Sequence, residues 1–205
     1  MLGLKISEER KSPFNGKIQV VRSLGLGTYL QAGGITQSGG IVEEIWRQAL
    51  KKVRRSSFIA HRVLILGLGG GTAAKLVRKY WPNCKITGVE IDPVMVELGR
   101  KYLGLDKAKV KIIIADAYKF DKGHYDLILI DLYRGDKFPK KFESERFRSL
   151  VHGTLADSGV AIFNRLYYGE KRKEAIKFGQ KLEKIFTKVD YFYPQANIMF
   201  LCYNK

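Results

Sequence analysis

A chain of 205 residues with 45% hydrophobic residues, eleven Phe and eleven Tyr suits one α/β domain with a sizeable core and excludes a disordered polymer. No apolar run approaches membrane-spanning length, and the opening MLGLKISEERK lacks a signal's apolar centre, so a cytoplasmic location without a membrane partner is expected. The formal charge of +17 draws phosphate-bearing partners, nucleic acid among them, without establishing that it binds them.

Lys17 to Ser23 and Thr28 to Ala32 read as two short strands around the Gly25-Leu26-Gly27 turn, a hairpin that fills an N-terminal segment of residues 1–38 ahead of a main domain of residues 39–205. Gly40 to Arg54 reads as a helix with Ile41, Ile45, Ala49 and Leu50 on one side. Its basic end, with Lys51, Lys52, Arg54 and Arg55, suits the helix dipole. Val63 to Leu66 is too short for a helix and runs into glycines, which marks a buried parallel strand. Gly67, Gly69 and Gly71 then recur at every second position, letting the backbone approach a ligand closely. A helix from Thr72 to Tyr80 and a strand from Ile86 to Ile91 follow, with Glu90 near the strand's carboxyl end.

Strand, glycine turn, helix and strand with an acid about twenty residues past the glycines is the layout that cradles a nucleoside and holds its ribose hydroxyls. The spacing is G-x-G-x-G, with Thr72 where the stricter dinucleotide motif ends in glycine, which favours a single adenosyl ligand such as S-adenosylmethionine over NAD.

Asp92 can cap a helix that begins at Pro93 and runs to Leu103. Val110 to Ala115 is a third strand, followed by Asp116 and Ala117; by itself Asp116 suits a helix cap as well as a ligand contact. Tyr125 to Asp131 is a fourth buried strand with Asp131 at the edge where open α/β sheets bind ligands. A helix from Glu143 to Leu155, a strand from Gly159 to Asn164 and a basic amphipathic helix from Glu170 to Phe186 come next. Val189 to Tyr193 and Ile198 to Tyr203 close the chain as an antiparallel hairpin. Cys84 and Cys202 read as buried thiols, and His61, His124 and His152 lack ligand spacing, so no metal is expected.

VLILGLGGGT, VEID, IADA and YDLILID, in this order and spacing, resemble the successive motifs of class I S-adenosylmethionine-dependent transferases, and most closely the spermidine synthase-like group, over about Gly34 to Asn164. The resemblance implies a Rossmann-like class I methyltransferase fold: a mostly parallel seven-stranded sheet with a C-terminal antiparallel hairpin, preceded by a short N-terminal β-hairpin. It implies that Gln37, Gly67, Gly69, Gly71, Glu90, Asp116 and Ala117 hold the adenosyl ligand, with Asp116 and Ala117 at the adenine, and it makes Asp131 the best candidate base. AGGITQ resembles the group's L-D-G-x-x-Q segment, and Trp46 and Arg47 stand where the group carries Tyr-His.

True aminopropyltransferases resemble G-G-G-D-G-G at the glycine turn and D-S-S-D after the fourth strand. The acid of the first motif and the second acid of the other attract amines. Gly70 and Arg134 occupy those positions in this chain, although Asp136 can compensate if its loop folds inward. D-x-Y-x-G-D-x-x-P from Asp131, with Phe142, Phe147 and Asn164, instead resembles spermidine synthase-like proteins that retain the nucleoside site without the full amine site. The expectation is a methyltransferase using intact S-adenosylmethionine, with Trp46, Arg47, Tyr133, Arg134 and Asp136 near a small-molecule or anionic substrate. An aminopropyltransferase using decarboxylated S-adenosylmethionine is the first alternative, a non-catalytic basic nucleic-acid-binding protein the second, and a homodimer stays open.

Overall fold

The computed structural model describes residues 3–54, 57–120 and 123–204. Arg55, counted above in the basic helix end, lies outside them.

Four strands open the chain as an antiparallel meander: β1 (Leu4–Ser12), β2 (Gly16–Ser23), β3 (Gly27–Ala32) and β4 (Ile35–Gly39). The expected hairpin is its central pair, β2 and β3, with Val21 opposite Tyr29. β1 carries a charged sequence with almost no buried side chain, so no apolar alternation announces it. One face of the meander, through Ile18, Val20, Leu30 and Ala32, packs on Met95, Leu98 and Leu103 of α3 (Pro93–Leu103).

After α1 (Gly40–Arg54) comes the second sheet, with β5 (Arg62–Leu66), β6 (Lys85–Glu90), β7 (Val110–Ile114), β8 (Tyr125–Ile130), β9 (Leu155–Leu166), β10 (Lys188–Phe192) and β11 (Asn197–Tyr203). Its spatial order is β10-β11-β9-β8-β5-β6-β7, with β5 to β9 parallel and β11 antiparallel to both of its neighbours. Val63 to Leu66 are buried on both faces, as strands sandwiched between helices must be. The expected strands and helices appear with boundaries shifted by a few residues. α4 (Glu145–Thr154) stops earlier than expected because β9 already begins at Leu155, and α5 (Lys171–Leu182) stops at Leu182, whose carbonyl accepts from the amides of Ile185 and Phe186 in a closing turn.

α2 (Thr72–Tyr80) buries Ala73, Ala74, Leu76 and Val77 against the sheet face that α1 also covers. The other face is aromatic: Phe147 of α4 and Phe178 of α5 are fully buried, as are Phe163 of β9 and Phe200 of β11. α3 begins as read from the sequence, with the Asp92 side chain accepting from the Val94 amide at 3.0 Å and Pro93 in the first turn.

Side chains join the two sheets at the glycine turn and at the start of α3. Ser12 Oγ donates to Asp92 Oδ2 at 2.5 Å, the Gly70 amide donates to Ser38 Oγ at 2.8 Å, and the Gly39 amide donates to Thr72 Oγ1 at 2.7 Å. Cys84 and Cys202 are buried free thiols. Among the described residues no helix is long and apolar enough to cross a membrane.

Candidate functional site

The carboxyl ends of β5, β6, β7 and β8 converge on one cavity of about 260 Å³. Its floor is the glycine turn. Gly67 sits at φ 85°, and a Cβ there would fall 2.1 Å from the carbonyl oxygen of Asp131, so only glycine lets β5 and β8 close up at this point. Gly69 lines the cavity too, and its amide donates to Glu90 Oε2 at 2.7 Å, while the Asp92 amide donates to Oε1 at 3.0 Å. Glu90 is buried and faces the cavity. A carboxylate accepts about four hydrogen bonds, so the two oxygens retain capacity for a vicinal diol. Gly71 is left-handed at the start of α2, packed where a Cβ would meet Leu105 at 2.3 Å; it supports the turn from outside the cavity.

Past β7, Asp116 and Ala117 form the opposite wall. Asp116 Oδ1 accepts from the Tyr118 amide at 3.1 Å, and Lys141 pairs with Oδ2. Burial tends to raise the Asp116 pKa, but the Lys141 ammonium and the Tyr118 amide outweigh it and hold the carboxyl below its usual range. Gln37 lines the cavity as well. Its Nε2 donates to the Gly135 carbonyl at 3.1 Å, fastening the loop after β8 to the N-terminal sheet.

Asp131 lies half-buried at the end of β8. The Trp46 indole donates to its Oδ2 at 2.9 Å, and Asn164 Nδ2 donates to its Oδ1 at 2.8 Å. Asn197 Nδ2 in turn donates to Asn164 Oδ1 at 2.7 Å. Burial pushes the Asp131 carboxyl up, against the two donors, so it is held by neutral groups alone and keeps appreciable basicity. Trp46 thus reaches the site through Asp131 without lining the cavity. Asn197 escaped the sequence reading; its signal is a polar side chain heading an apolar strand.

Tyr133 lines the cavity, with its hydroxyl accepting from the Leu166 amide at 2.7 Å. Arg134 also lines the cavity and is exposed. Two expected substrate residues stand elsewhere. Arg47 pairs with Glu43 at 2.6 Å and Glu44 at 2.5 Å along its own helix, and Asp136 pairs with Lys171 Nζ at 2.8 Å. Neither lines the cavity, because a nearer opposite charge holds each one. Lys141 was missed, since nothing local in its loop sequence points to Asp116.

The buried acids set a pH dependence. Burial pushes Glu90 up as well, against the amides of Asp92 and Gly69. A folded-state pKa above the unfolded value means that the folded protein holds more protons just above the ordinary carboxylate range, so stability falls as pH rises through that window. The acids lowered in the fold, Glu8, Glu9, Asp116 and Asp136, act with the opposite sign: their contribution is complete above the ordinary carboxylate range and is lost as pH falls from there through their lower folded values. Thermal melts of the ligand-free protein should therefore show Tm declining from about pH 5 upward until Glu90 and Asp131 ionise, and Glu90→Gln should flatten the decline. A Tm that climbs throughout that window would contradict this assignment.

Residues 49–198 match the family model "Spermine/spermidine synthase domain", well over half of the chain. The chain belongs to this family. A probable polyamine aminopropyl transferase of Bifidobacterium longum is 34% identical over 110 residues, 51% of this chain and 24% of that protein. An eEF1A lysine and N-terminal methyltransferase of Mus musculus is 29% identical over 133 residues, 58% of this chain and 19% of that protein. The chain thus spans about a quarter and a fifth of the length of these two relatives. The crystal structure of spermidine synthase from Thermotoga maritima superposes with a TM-score of 0.77 at 23% identity, covering 96% of this chain and 72% of that one, and shares the fold. The relatives of this chain therefore include proteins named for aminopropyl transfer and for methyl transfer.

Proposed function

We propose that this protein is a transferase that uses intact S-adenosylmethionine and delivers its methyl group to an acceptor held beside Asp131. One observation carries the choice: neither family position for an amine-binding acid supplies a carboxylate to the cavity. A Cβ on Gly70 would meet Leu103, Leu30 and Ser38 within 3.1 Å, so an acid there would have to displace that packing. Arg134 occupies the other position, and Asp136 is held by Lys171. A cavity that presents a cation there disfavours an ammonium and suits the amino-acid carboxylate that distinguishes intact S-adenosylmethionine from its decarboxylated form.

The residues present fit the ligand. Glu90 has spare acceptor capacity for the ribose hydroxyls, the turn at Gly67 and Gly69 admits the nucleoside closely, and the Asp116 carboxylate can accept from an exocyclic amine. When bound, S-adenosylmethionine supplies a methyl carbon already activated by its sulfonium, so the chain's task is alignment and proton removal. Asp131 takes the proton from the acceptor, while Trp46 and Asn164 fix its orientation.

Calorimetry with the two forms of the ligand tests this reading. Arg134 is exposed, so its preference for the intact form is expected to be worth up to about 1 kcal/mol, or about fivefold in affinity. Arg134→Ala should erase the difference. Tighter binding of the decarboxylated form would refute the proposal. Aminopropyl transfer, the second reading, is favoured by the names of several relatives, and product analysis with putrescine distinguishes it.

A further inference from the structure

The amino ends of the parallel strands form a second concavity, of about 430 Å³, on the sheet edge opposite the cavity. Among the described residues five cations line it: Arg62 at the start of β5, Lys85 at the start of β6, Lys109 and Lys111 at β7, and Arg78 from α2. Among the described residues no carboxylate lines it. Arg62 and Lys85 are direct partners in the β5–β6 register, and Lys111 stands opposite Thr87 on the same strand as Lys85. Like charges placed opposite one another on neighbouring strands oppose pairing, so the row costs stability unless an anion joins it.

Among the described residues no ion pair neutralises it. The carboxylate of Asp126 accepts from the backbone amides of His61 and Arg62 at 2.7 and 2.8 Å. Among the described residues Lys85, Lys109 and Lys111 have no ionic partner, and all three are exposed. Arg78 donates to the carbonyls of Ala108, Pro82 and Cys84, which ties the loops around the groove together, and among the described residues it has no ionic partner. The groove is therefore held in shape before any ligand arrives.

We infer that this groove binds the phosphodiester backbone of a nucleic acid, with Lys85, Lys109 and Lys111 each meeting a phosphate. An elongated polyanion suits a row of cations spread over three strand ends better than a compact anion does. Tyr125, the aromatic residue in the lining, is buried, so bases have no stacking platform and recognition is of charge without sequence. The inference is independent of the transferase reading, because its residues lie at the other end of the strands.

The test uses the full chain and a fluorescein-labelled single-stranded RNA, followed by anisotropy between about 50 and 200 mM salt. A Lys85→Gln/Lys109→Gln/Lys111→Gln variant is compared with Lys173→Gln/Lys177→Gln/Lys184→Gln, which removes equal charge from exposed positions on and after α5. The groove variant should lose about tenfold or more in affinity, and its salt slope should fall by about two, given roughly 0.7 per phosphate on a single strand. The control should bind nearly as wild type does. Equal losses in both variants, no loss in the groove variant, or no RNA binding at all would each overturn the inference. So would polyglutamate competing as well as unlabelled RNA, which would make the partner an acidic polypeptide. Thermal melts of both variants confirm that neither result reflects unfolding.

Discussion

Asp131→Asn is expected to slow group transfer by about 10²–10⁴-fold, the usual contribution of a positioned base. The substitution keeps volume and position but removes the proton acceptor. It also faces two fixed donors, Trp46 Nε1 and Asn164 Nδ2, with an amide that has only one oxygen. One donor then loses its partner, which should destabilise the fold by about 1–3 kcal/mol and lower Tm without unfolding the protein. The decisive readout is the pairing of two measurements. Adenosyl-ligand affinity by calorimetry should stay within a few-fold of wild type, while release of the spent cofactor with an acceptor fraction from cells should collapse. Transfer at the wild-type rate would remove Asp131 from the chemistry and leave it as a structural end to β8.

Gly67→Ala should be the most damaging substitution for stability. The residue combines φ 85° with a would-be Cβ contact of 2.1 Å to the Asp131 carbonyl oxygen, and backbone atoms on both sides cannot give way cheaply. Strain of about 1–3 kcal/mol for the left-handed backbone adds to about 1–3 kcal/mol for overpacking. At roughly 2–4 °C per kcal/mol for a chain of this size, Tm should drop by about 10 °C. Gly153→Ala is the matched control, since a Cβ there meets nothing within 4 Å and α4 gains a better helix former. Equal melting of the two variants would show that the close approach of β5 and β8 is not what glycine secures.

The parts of the site that the sequence reveals are those set by local rules. Val63 to Leu66, the glycines and α2 follow one another without a gap, so the turn has to lie at a strand's carboxyl end, and Glu90, Asp116 and Asp131 end the next strands in the same way. Contacts between distant segments were not legible. Asp136 and Lys171 are brought together only by the packed fold, as are Asp116 and Lys141. Arg47 is a different case. Glu43 and Glu44 precede it by four and three residues on a helix, and that spacing alone predicts the pairing that keeps it from the cavity. β1 escaped because its residues are mostly exposed and charged, and its buried Ser12 is held by a hydrogen bond to Asp92, which no periodicity marks.

The hydrogen bonds that the Gly70 amide donates to Ser38 and the Gly39 amide donates to Thr72 make the N-terminal meander part of the glycine turn's foundation. Trimming the chain to a minimal catalytic fragment by deleting β1 to β4 would strip partners from the glycine turn and bare Met95, Leu98 and Leu103 to water.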